Sequence, residues 1–361
     1  MTQILCFDPT VFDHQSQVRG VGRYLQILKE NFPDWIFSNT LQTSHRTLHV
    51  FINPFFNFLQ KPLTLKRIAK KQIAVIHDLI PLKYPKNFPA GIRGNFNIFL
   101  NKLALKNYDL IITDSETSKK DIIKILKIPE ENLKVIYPCL PKIFKEISSS
   151  KYRVLKEKTK KEKLINDKHL ILSTNNFCLY VGDATWNKNL VNLAHAIKIA
   201  NVTCVFIGKI FENFKKFHIS HSKFNLNNLW HKELKEFFEL VKDDKRFIFL
   251  GYVTDEDLIK LYQQASLNIL LSRDEGFGFS YLEASSQSCP SVLSDIEVFQ
   301  EIAKDNALYA NPDNPKDIAD KIVEIYFDKK HKKTLGEKAL KQSLFFSCEK
   351  FKKSFLEVVF F

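Results

Sequence analysis

The sequence LSRDEGFGFSYLEASSQSCPSVLSD occupies residues 271–295. It starts at the end of an apolar run, turns at Glu-Gly-Phe-Gly (275–278) and continues directly as a helical pattern. Glycines at such a junction let the backbone approach a ligand, and a helix that begins there presents N–H groups to an anion such as a diphosphate. Glu275 and Glu283 then supply two carboxylates that can hold sugar hydroxyls. The alternative is an ordinary strand–turn–helix unit with a capping Glu.

Outward from this stretch, apolar runs of strand length alternate with helical patterns, which predicts parallel sheets in an α/β protein. Ser115 and Asp255 are predicted to cap the helices that follow them. The predicted strands are Ile4–Asp8, His49–Ile52, Ile73–Ile76, Leu110–Thr113, Val135–Tyr137, Phe177–Val181, Val202–Ile207, Arg246–Leu250, Leu267–Leu271 and Ser291–Ser294, and the predicted helices cover 19–32, 116–126, 189–200, 255–265 and 315–327.

The length of 361 residues indicates two domains, because chains longer than about 300 residues usually divide into several domains instead of enlarging one hydrophobic core. Residues 151–168 are highly charged and almost free of core-forming side chains. We therefore predict an N-terminal domain over 1–165, a C-terminal domain over 166–343 and a closing segment over 344–361.

The formal net charge of +14 fits a nucleic acid, an anionic membrane surface or polyanionic small substrates, and equally a solvated Lys-rich face. No nucleic-acid-binding motif occurs, so we predict no nucleic-acid partner. The six cysteines form no Cys-x-x-Cys pair, which favours reduced thiols in a cytoplasmic protein over zinc or disulfides.

The sequence contains no clear signal for secretion, for a membrane span, for a metal site or for a dinucleotide. The N-terminus lacks the features of a signal peptide, and no stretch reaches the ~20 apolar residues of a membrane span, so any membrane contact is expected to be peripheral, at the inner face. The pairs His45/His49 and His218/His221 lack a metal-binding motif. The Gly-Val-Gly near residue 20 lacks the third glycine of a dinucleotide fingerprint, which disfavours a dehydrogenase.

Residues 271–295 resemble the signature of the retaining glycosyltransferase family four, in which Glu-Gly-Phe-Gly and a second Glu recur as E-x7-E. Residues 249–272 and 291–322 resemble the family's segments before and after that motif. The resemblance implies the GT-B fold, with two Rossmann-like, doubly wound domains that face a central cleft.

The resemblance also implies roles for the residues of this motif. Glu275 would contact the donor sugar near its reacting centre, as a catalytic residue. Glu283 would hold the ribose hydroxyls of the nucleotide. The backbone amides of Gly276, Phe277 and Gly278 would face the donor sugar and the diphosphate.

LYVGDATWNKNLVNLAHAI, residues 179–197, resembles the family's segment that carries a phosphate-binding lysine. Lys188 takes that position, where its ammonium would neutralise the leaving diphosphate. The family often has an arginine beside this lysine or after the glycine, whereas this chain has Asn187 and Asp183. Arg273 is a candidate to compensate; the alternative for Lys188 is a solvated side chain at a helix start.

In the first half, RGVGRY (residues 19–24) resembles the family's N-terminal glycine loop, which assigns Gly20 and Gly22 to donor binding. Residues 109–126 resemble a further family segment, in which Ser115 lies near the cleft. The alternative is that Ser115 only caps its helix.

VIHDLIPLKYP, residues 75–85, resembles the His-Asp strand end of the mannosyltransferase-like branch. The resemblance places His77 at the floor of the cleft, as a catalytic residue that hydrogen-bonds the donor sugar or the acceptor. The alternative is a buried histidine that orients Asp78.

The resemblance implies transfer of a hexosyl unit, with mannose favoured, from a nucleoside-diphosphate sugar to a glycan or lipid-linked glycan, as in cell-surface polysaccharide synthesis. It implies no metal and no cofactor, and the sequence has no Asp-x-Asp at a strand end that faces the cleft. Acceptor binding is expected in the first domain, where residues 92–108 form either an amphipathic surface for a lipid-linked or polyanionic glycan or a half-buried helix. Residues 344–359 resemble the family's final helix, which returns to the first domain.

Three alternative functions stay open. They are a non-catalytic sugar-nucleotide-binding protein, a basic membrane- or nucleic-acid-binding module, and a nucleotide-sugar epimerase on the same fold.

Overall fold

The computed structural model describes residues 3–11, 20–41, 48–146, 176–212 and 232–360. The predicted boundary at 165/166, the charged segment 151–168, Arg19, His45 and the His218/His221 pair lie outside these residues. The chain divides into two compact units. The first unit comprises Met1–Pro141, Glu275–Phe277 and Phe346–Phe361, and the second unit comprises Lys142–Asp274 and Gly278–Phe345.

The first unit contains a six-stranded sheet in the order β2-β1-β3-β4-β5-β6, with every pair parallel. Strands β1 and β3 are buried along their whole length, as expected for a sheet covered on both faces. The strands are Ile4–Phe7 (β1), Ile36–Ser38 (β2), Val50–Asn53 (β3), Lys71–Val75 (β4), Leu110–Thr113 (β5) and Leu133–Val135 (β6).

The helices of the first unit follow from local sequence signals. Helix α4 begins after Ser115, whose side chain accepts a hydrogen bond from the Ser118 N–H, and it ends at Lys127 in the left-handed conformation. The C-terminal helix packs through Phe351 and Phe355 against Phe32. The helices are Gly20–Asn31 (α1), Ile80–Lys83 (α2), Gly91–Leu105 (α3), Glu116–Leu126 (α4) and the C-terminal Cys348–Phe360.

The second unit contains a parallel six-stranded sheet in the order β12-β11-β10-β7-β8-β9. This is the Rossmann order, and its switch point lies between β7 and β10, where such sheets bind ligands beyond the carboxyl ends of the strands. The strands are Cys178–Val181 (β7), Cys204–Ile207 (β8), Phe247–Gly251 (β9), Leu267–Leu270 (β10), Ser291–Ser294 (β11) and Leu308–Ala310 (β12).

Helices flank this second sheet as well. The predicted cap at Asp255 is wrong: Thr254 has the extended backbone of a cap and its side chain accepts from the Asp257 N–H, so Asp255 is the first helical residue, where its charge favours the helix dipole. The helices are Lys142–Glu146 (α5), Leu190–Ala200 (α6), Lys232–Val241 (α7), Asp255–Gln264 (α8), Phe279–Ser286 (α9), Glu297–Ala303 (α10), Pro315–Tyr326 (α11) and Lys329–Ser343 (α12).

Two parallel, doubly wound sheets with flanking helices confirm the predicted α/β class and the two Rossmann-like domains of the GT-B fold. Within the described ranges, no helix has the length and apolar composition needed to cross a membrane.

Candidate functional site

His77 lies just beyond the carboxyl end of β4 in the first unit. Its Nδ1 is 2.6 Å from Oδ2 of Asp114, and its Nε2 is 3.0 Å from the carbonyl oxygen of Pro54. Both ring nitrogens therefore face acceptors, which only the protonated imidazolium can satisfy at the same time. Burial opposes the charged form, but the nearby Asp114 carboxylate and its hydrogen bond outweigh it and raise the pKa of His77 above its ordinary value.

The partner of His77 is thus Asp114, and not Asp78 as the alternative interpretation of the sequence had it. The exposed Asp78 instead accepts a hydrogen bond from the Ile80 N–H at the start of α2. Asp114 was not among the predicted site residues, although its position directly after β5 is a usable signal, since the carboxyl ends of parallel strands share one edge of the sheet.

Replacing Asp114 with asparagine is expected to destabilise the folded chain in a pH-dependent manner. Because the folded pKa of His77 is raised, the stabilisation by the pair is fully present below pH 6.5 and is lost as the pH rises through the folded pKa. The loss on substitution should be about 3 kcal/mol at pH 6, as for a buried pair that loses one partner, and smaller at pH 9. Urea unfolding across this range measures it.

The matched control is Asp121→Asn, which removes the partner of Lys83 in a more exposed ion pair. Its effect should be below about 1 kcal/mol. A stability loss in Asp114→Asn that is equal at pH 6 and pH 9 would contradict the ionised pair.

Tyr24 connects His77 with helix α1. Its fully buried ring contacts the imidazole edge-to-face, with the ring centroids 4.7 Å apart. Gly20 is the first residue of α1, and Gly22 lies in the same first turn. The two predicted glycines thus lie in the turn of α1 that precedes the contact with His77.

The segment Glu275–Phe277 belongs to the first unit and is fixed at the ends of β4 and β5. The Ser115 hydroxyl donates to the carbonyl oxygen of Gly276 at 2.7 Å, so Ser115 does more than cap its helix. The Ser118 hydroxyl lies 3.0 Å from the His77 carbonyl oxygen and 3.2 Å from that of Gly276. These hydroxyls hold the backbone that carries Glu275.

Only glycine fits at position 276. A Cβ atom there would lie 2.5 Å from the His77 carbonyl oxygen and 3.2 Å from Cβ of Asp78. Next to it, the Phe277 side chain is buried and its ring packs edge-to-face on Phe346 at 5.5 Å. Phe277 can therefore offer a ligand only its backbone, which is the role that the sequence predicts for it.

In the second unit, Lys188 ends the short 3-10 turn Trp186–Lys188, which follows β7. Asn187 ties this turn to the segment that follows β10: its Nδ2 donates to the Asp274 carbonyl at 3.1 Å, and its backbone carbonyl accepts from the Arg273 N–H at 2.7 Å. The half-buried Lys188 is thereby held at the switch point of the second sheet. Asn187, near which the family often has an arginine, here joins the turn to the backbone of residues 273 and 274 through hydrogen bonds.

Arg273 lies beside the same turn. Its guanidinium donates to the Trp186 carbonyl, pairs with Glu233 at 2.9 Å and lies 4.9 Å from the centroid of the Trp186 ring. Glu233, on α7, was not among the predicted site residues, since neither strand pattern nor motif marks it. The Glu233 carboxylate thus balances the charge of Arg273 within the second unit.

Helix α9 of the second unit begins after Gly278 and carries Glu283. Gly278 precedes the helix with a φ of 103°, and a Cβ there would lie 2.9 Å from the Phe299 ring. Glu283, on the second turn, is 4% exposed and accepts a hydrogen bond from the Tyr262 hydroxyl at 3.1 Å. The helix thus begins at a glycine whose positive φ other residues rarely adopt, and it carries a carboxylate that Tyr262 orients.

A metal site would require several ligating side chains at one place. In the described part of the chain, no three His, Cys, Asp or Glu side chains come together in this way.

The chain is similar to several known proteins. Residues 161–342 match the family described as glycosyl transferases group 1. The chain is 27% identical over 254 residues to the O-antigen chain mannosyltransferase RfbU of Salmonella typhimurium, which covers 69% of this chain and 59% of RfbU. It is 33% identical over 108 residues to the serotype-specific mannosyltransferase WbdA of Escherichia coli, or 30% of this chain and 13% of WbdA.

The chain thus spans about three fifths of RfbU and a much smaller part of WbdA. Among solved structures, it is similar to that of HepE from Anabaena in complex with UDP-glucose, with a TM-score of 0.73, 17% identity and coverage of 99% of both chains. At this identity the likeness shows a shared fold.

Proposed function

Because this chain belongs to the glycosyl transferases group 1 family, we propose that it transfers a hexosyl unit from a nucleoside-diphosphate sugar to a glycan or lipid-linked glycan, with retention of the anomeric configuration. Mannose is the favoured sugar, since RfbU and WbdA are named mannosyltransferases. The proposed role is cell-surface polysaccharide synthesis, in the cytoplasm at the inner face of the membrane.

The observation that carries this proposal is the fixed position of Gly276. Its carbonyl oxygen accepts a hydrogen bond from Ser115, and the His77 carbonyl oxygen lies so near that a Cβ on residue 276 would be only 2.5 Å from it. Glu275 is therefore held on a rigid backbone at the carboxyl edge of a parallel sheet. A carboxylate held in this way suits a reaction in which positive charge develops on a sugar ring, because it needs little reorganisation in the transition state.

The remaining residues take complementary roles in the proposal. Lys188 neutralises the leaving diphosphate, and the start of α9 at Gly278 offers N–H groups to the same anion. Glu283 holds the ribose hydroxyls. Gly20 and Gly22 let α1 approach the donor. The reaction proceeds without a metal or cofactor in this scheme.

Replacing Lys188 with alanine is expected to lower turnover about 100- to 1000-fold, the range for the loss of one preorganised charge-stabilising group. The matched control is Lys260→Ala, which removes a lysine paired with Asp257 on the surface of α8 and should leave turnover unchanged. Steady-state release of nucleoside diphosphate measures both variants. Wild-type turnover in Lys188→Ala would remove Lys188 from the mechanism.

The proposed function itself is tested by product analysis. The protein is incubated with GDP-mannose and, separately, UDP-hexoses, together with lipid-linked acceptor and EDTA, and the new glycosidic bond is assigned by NMR. A product with the anomeric configuration of the donor supports the proposal, and an inverted product contradicts retention. Conversion of the donor sugar without an acceptor would favour the epimerase.

A further inference from the structure

Helix α3 of the first unit presents its large apolar side chains to solvent. Ile92 is 93% exposed, Phe96 59%, Phe99 58% and Leu103 40%. Their spacing of four, three and four residues places them within an arc of about 60° on one face of the helix. These residues, here called the α3 stripe, form a continuous exposed apolar surface and not scattered single side chains.

The fold does not need the α3 stripe, because a different face attaches α3 to the unit. The buried positions of that face include Gly94 and Ala104, which are small. Asn97 donates to the Leu59 carbonyl at 2.9 Å, and Asn101 donates to the Gln60 carbonyl at 2.7 Å. The apolar side chains thus point away from the protein, although their burial would have stabilised it.

Positive charge surrounds the stripe. Arg93 lies on one side of it, Lys102 and Lys106 lie on the other, and all three are exposed. Over residues 54–108 the sequence has 8 Lys and 2 Arg against one carboxylate, Asp78. An exposed apolar stripe between cations is the pattern of a helix that lies in the interface of an anionic bilayer.

We propose that the α3 stripe is the membrane-binding surface of the protein, with its apolar side chains in the acyl boundary and its flanking cations on anionic phospholipid headgroups. A second copy of the chain is a poorer occupant. A symmetric contact would bring the basic surroundings of two stripes together, and the like charges would repel.

That the α3 stripe brings the protein to lipid-linked acceptors rests on the proposed function. Binding of the stripe to a membrane does not rest on it and can be measured without a sugar donor. The full chain is mixed with vesicles of phosphatidylcholine containing phosphatidylglycerol and followed by flotation. We expect binding to these vesicles and at least about tenfold weaker binding to phosphatidylcholine alone, because the cations then lose their partners. The double variant Phe96→Ser/Phe99→Ser should weaken binding at least about tenfold.

The matched control is Phe327→Ser, since Phe327 is a similarly exposed aromatic residue, at 63%, in the second unit. It should bind vesicles like the wild type. Unchanged binding by Phe96→Ser/Phe99→Ser, or no binding by the wild type at low salt, would overturn the proposal. So would a wild-type dimer, detected by light scattering, that this double variant converts to a monomer.

Transfer to a soluble acceptor separates the two proposals. If the double variant loses vesicle binding but keeps this transfer, the stripe acts at the membrane and not in the reaction. If the wild type binds vesicles but transfers no sugar, the proposed function fails and the membrane surface stands.

Discussion

Replacing Glu275 with alanine is expected to lower kcat for glycosyl transfer at least about 1000-fold, with little change in affinity for the nucleotide sugar. The reason is that Glu275 sits on a backbone fixed by the hydrogen bond from Ser115 to Gly276, so its carboxylate can stabilise the transition state without reorganisation. Steady-state kinetics measures the turnover, and calorimetry measures the affinity for the donor.

Two further variants separate the carboxylate charge from packing and from general effects. Glu275→Gln keeps the shape of the side chain and should show nearly the same loss as the alanine variant. Glu337→Gln, at an exposed position on α12, should behave like the wild type. More than a tenth of wild-type turnover in Glu275→Ala would exclude a role for this carboxylate in the reaction.

Replacing Gly276 with alanine is expected to reduce both stability and turnover. The added Cβ would lie 2.5 Å from the His77 carbonyl oxygen, so the segment must move away from the end of β4. Such overpacking costs about 2 kcal/mol. A displacement of Glu275 by about 1 Å should reduce turnover about 100-fold. Thermal unfolding and steady-state kinetics measure the two effects.

Gly91→Ala controls for the loss of a glycine alone. Gly91 has a φ of +64°, and an added Cβ there would have no neighbouring atom within 4 Å, so the substitution should cost about 1 kcal/mol of backbone strain and no activity. The double variant Ser115→Ala/Ser118→Ala tests the same segment from the other side and should also reduce turnover. Full activity in Gly276→Ala would show that Glu275 does not depend on this contact.

The sequence predicted most of the fold, because buried parallel strands appear as apolar runs. Leu110–Thr113 and Ser291–Ser294 were predicted with their observed bounds. The short edge strands Ile36–Ser38 and Leu308–Ala310 were missed, since each has only three residues and is partly exposed. Strand β6 was predicted two residues too late, at Val135–Tyr137, because its register is set by pairing with β5 and not by its own pattern.

The sequence predicted only some of the residues of the candidate site, and the reason that it missed the others is physical. The motif at residues 275–283 singled out Glu275 and Glu283, and the resemblance to the family singled out Lys188; the roles of all three stay predictions. Neither indicated Asp114 or Glu233, whose partners lie 37 and 40 positions away in the chain. Such pairs depend on which strand ends and helices become neighbours in the folded unit, and a single sequence does not contain that information.

The central claim is that this chain binds a nucleoside-diphosphate sugar through the residues named above. Thermal unfolding with millimolar GDP-mannose, UDP-glucose or ADP-glucose, in the presence of EDTA, tests it most directly. We expect one donor to raise Tm by about 5 °C, because a ligand that binds only the folded state stabilises it. Glu283→Ala should lose that rise and Glu275→Ala should keep it. No rise in the wild type with any of the three donors would contradict the account.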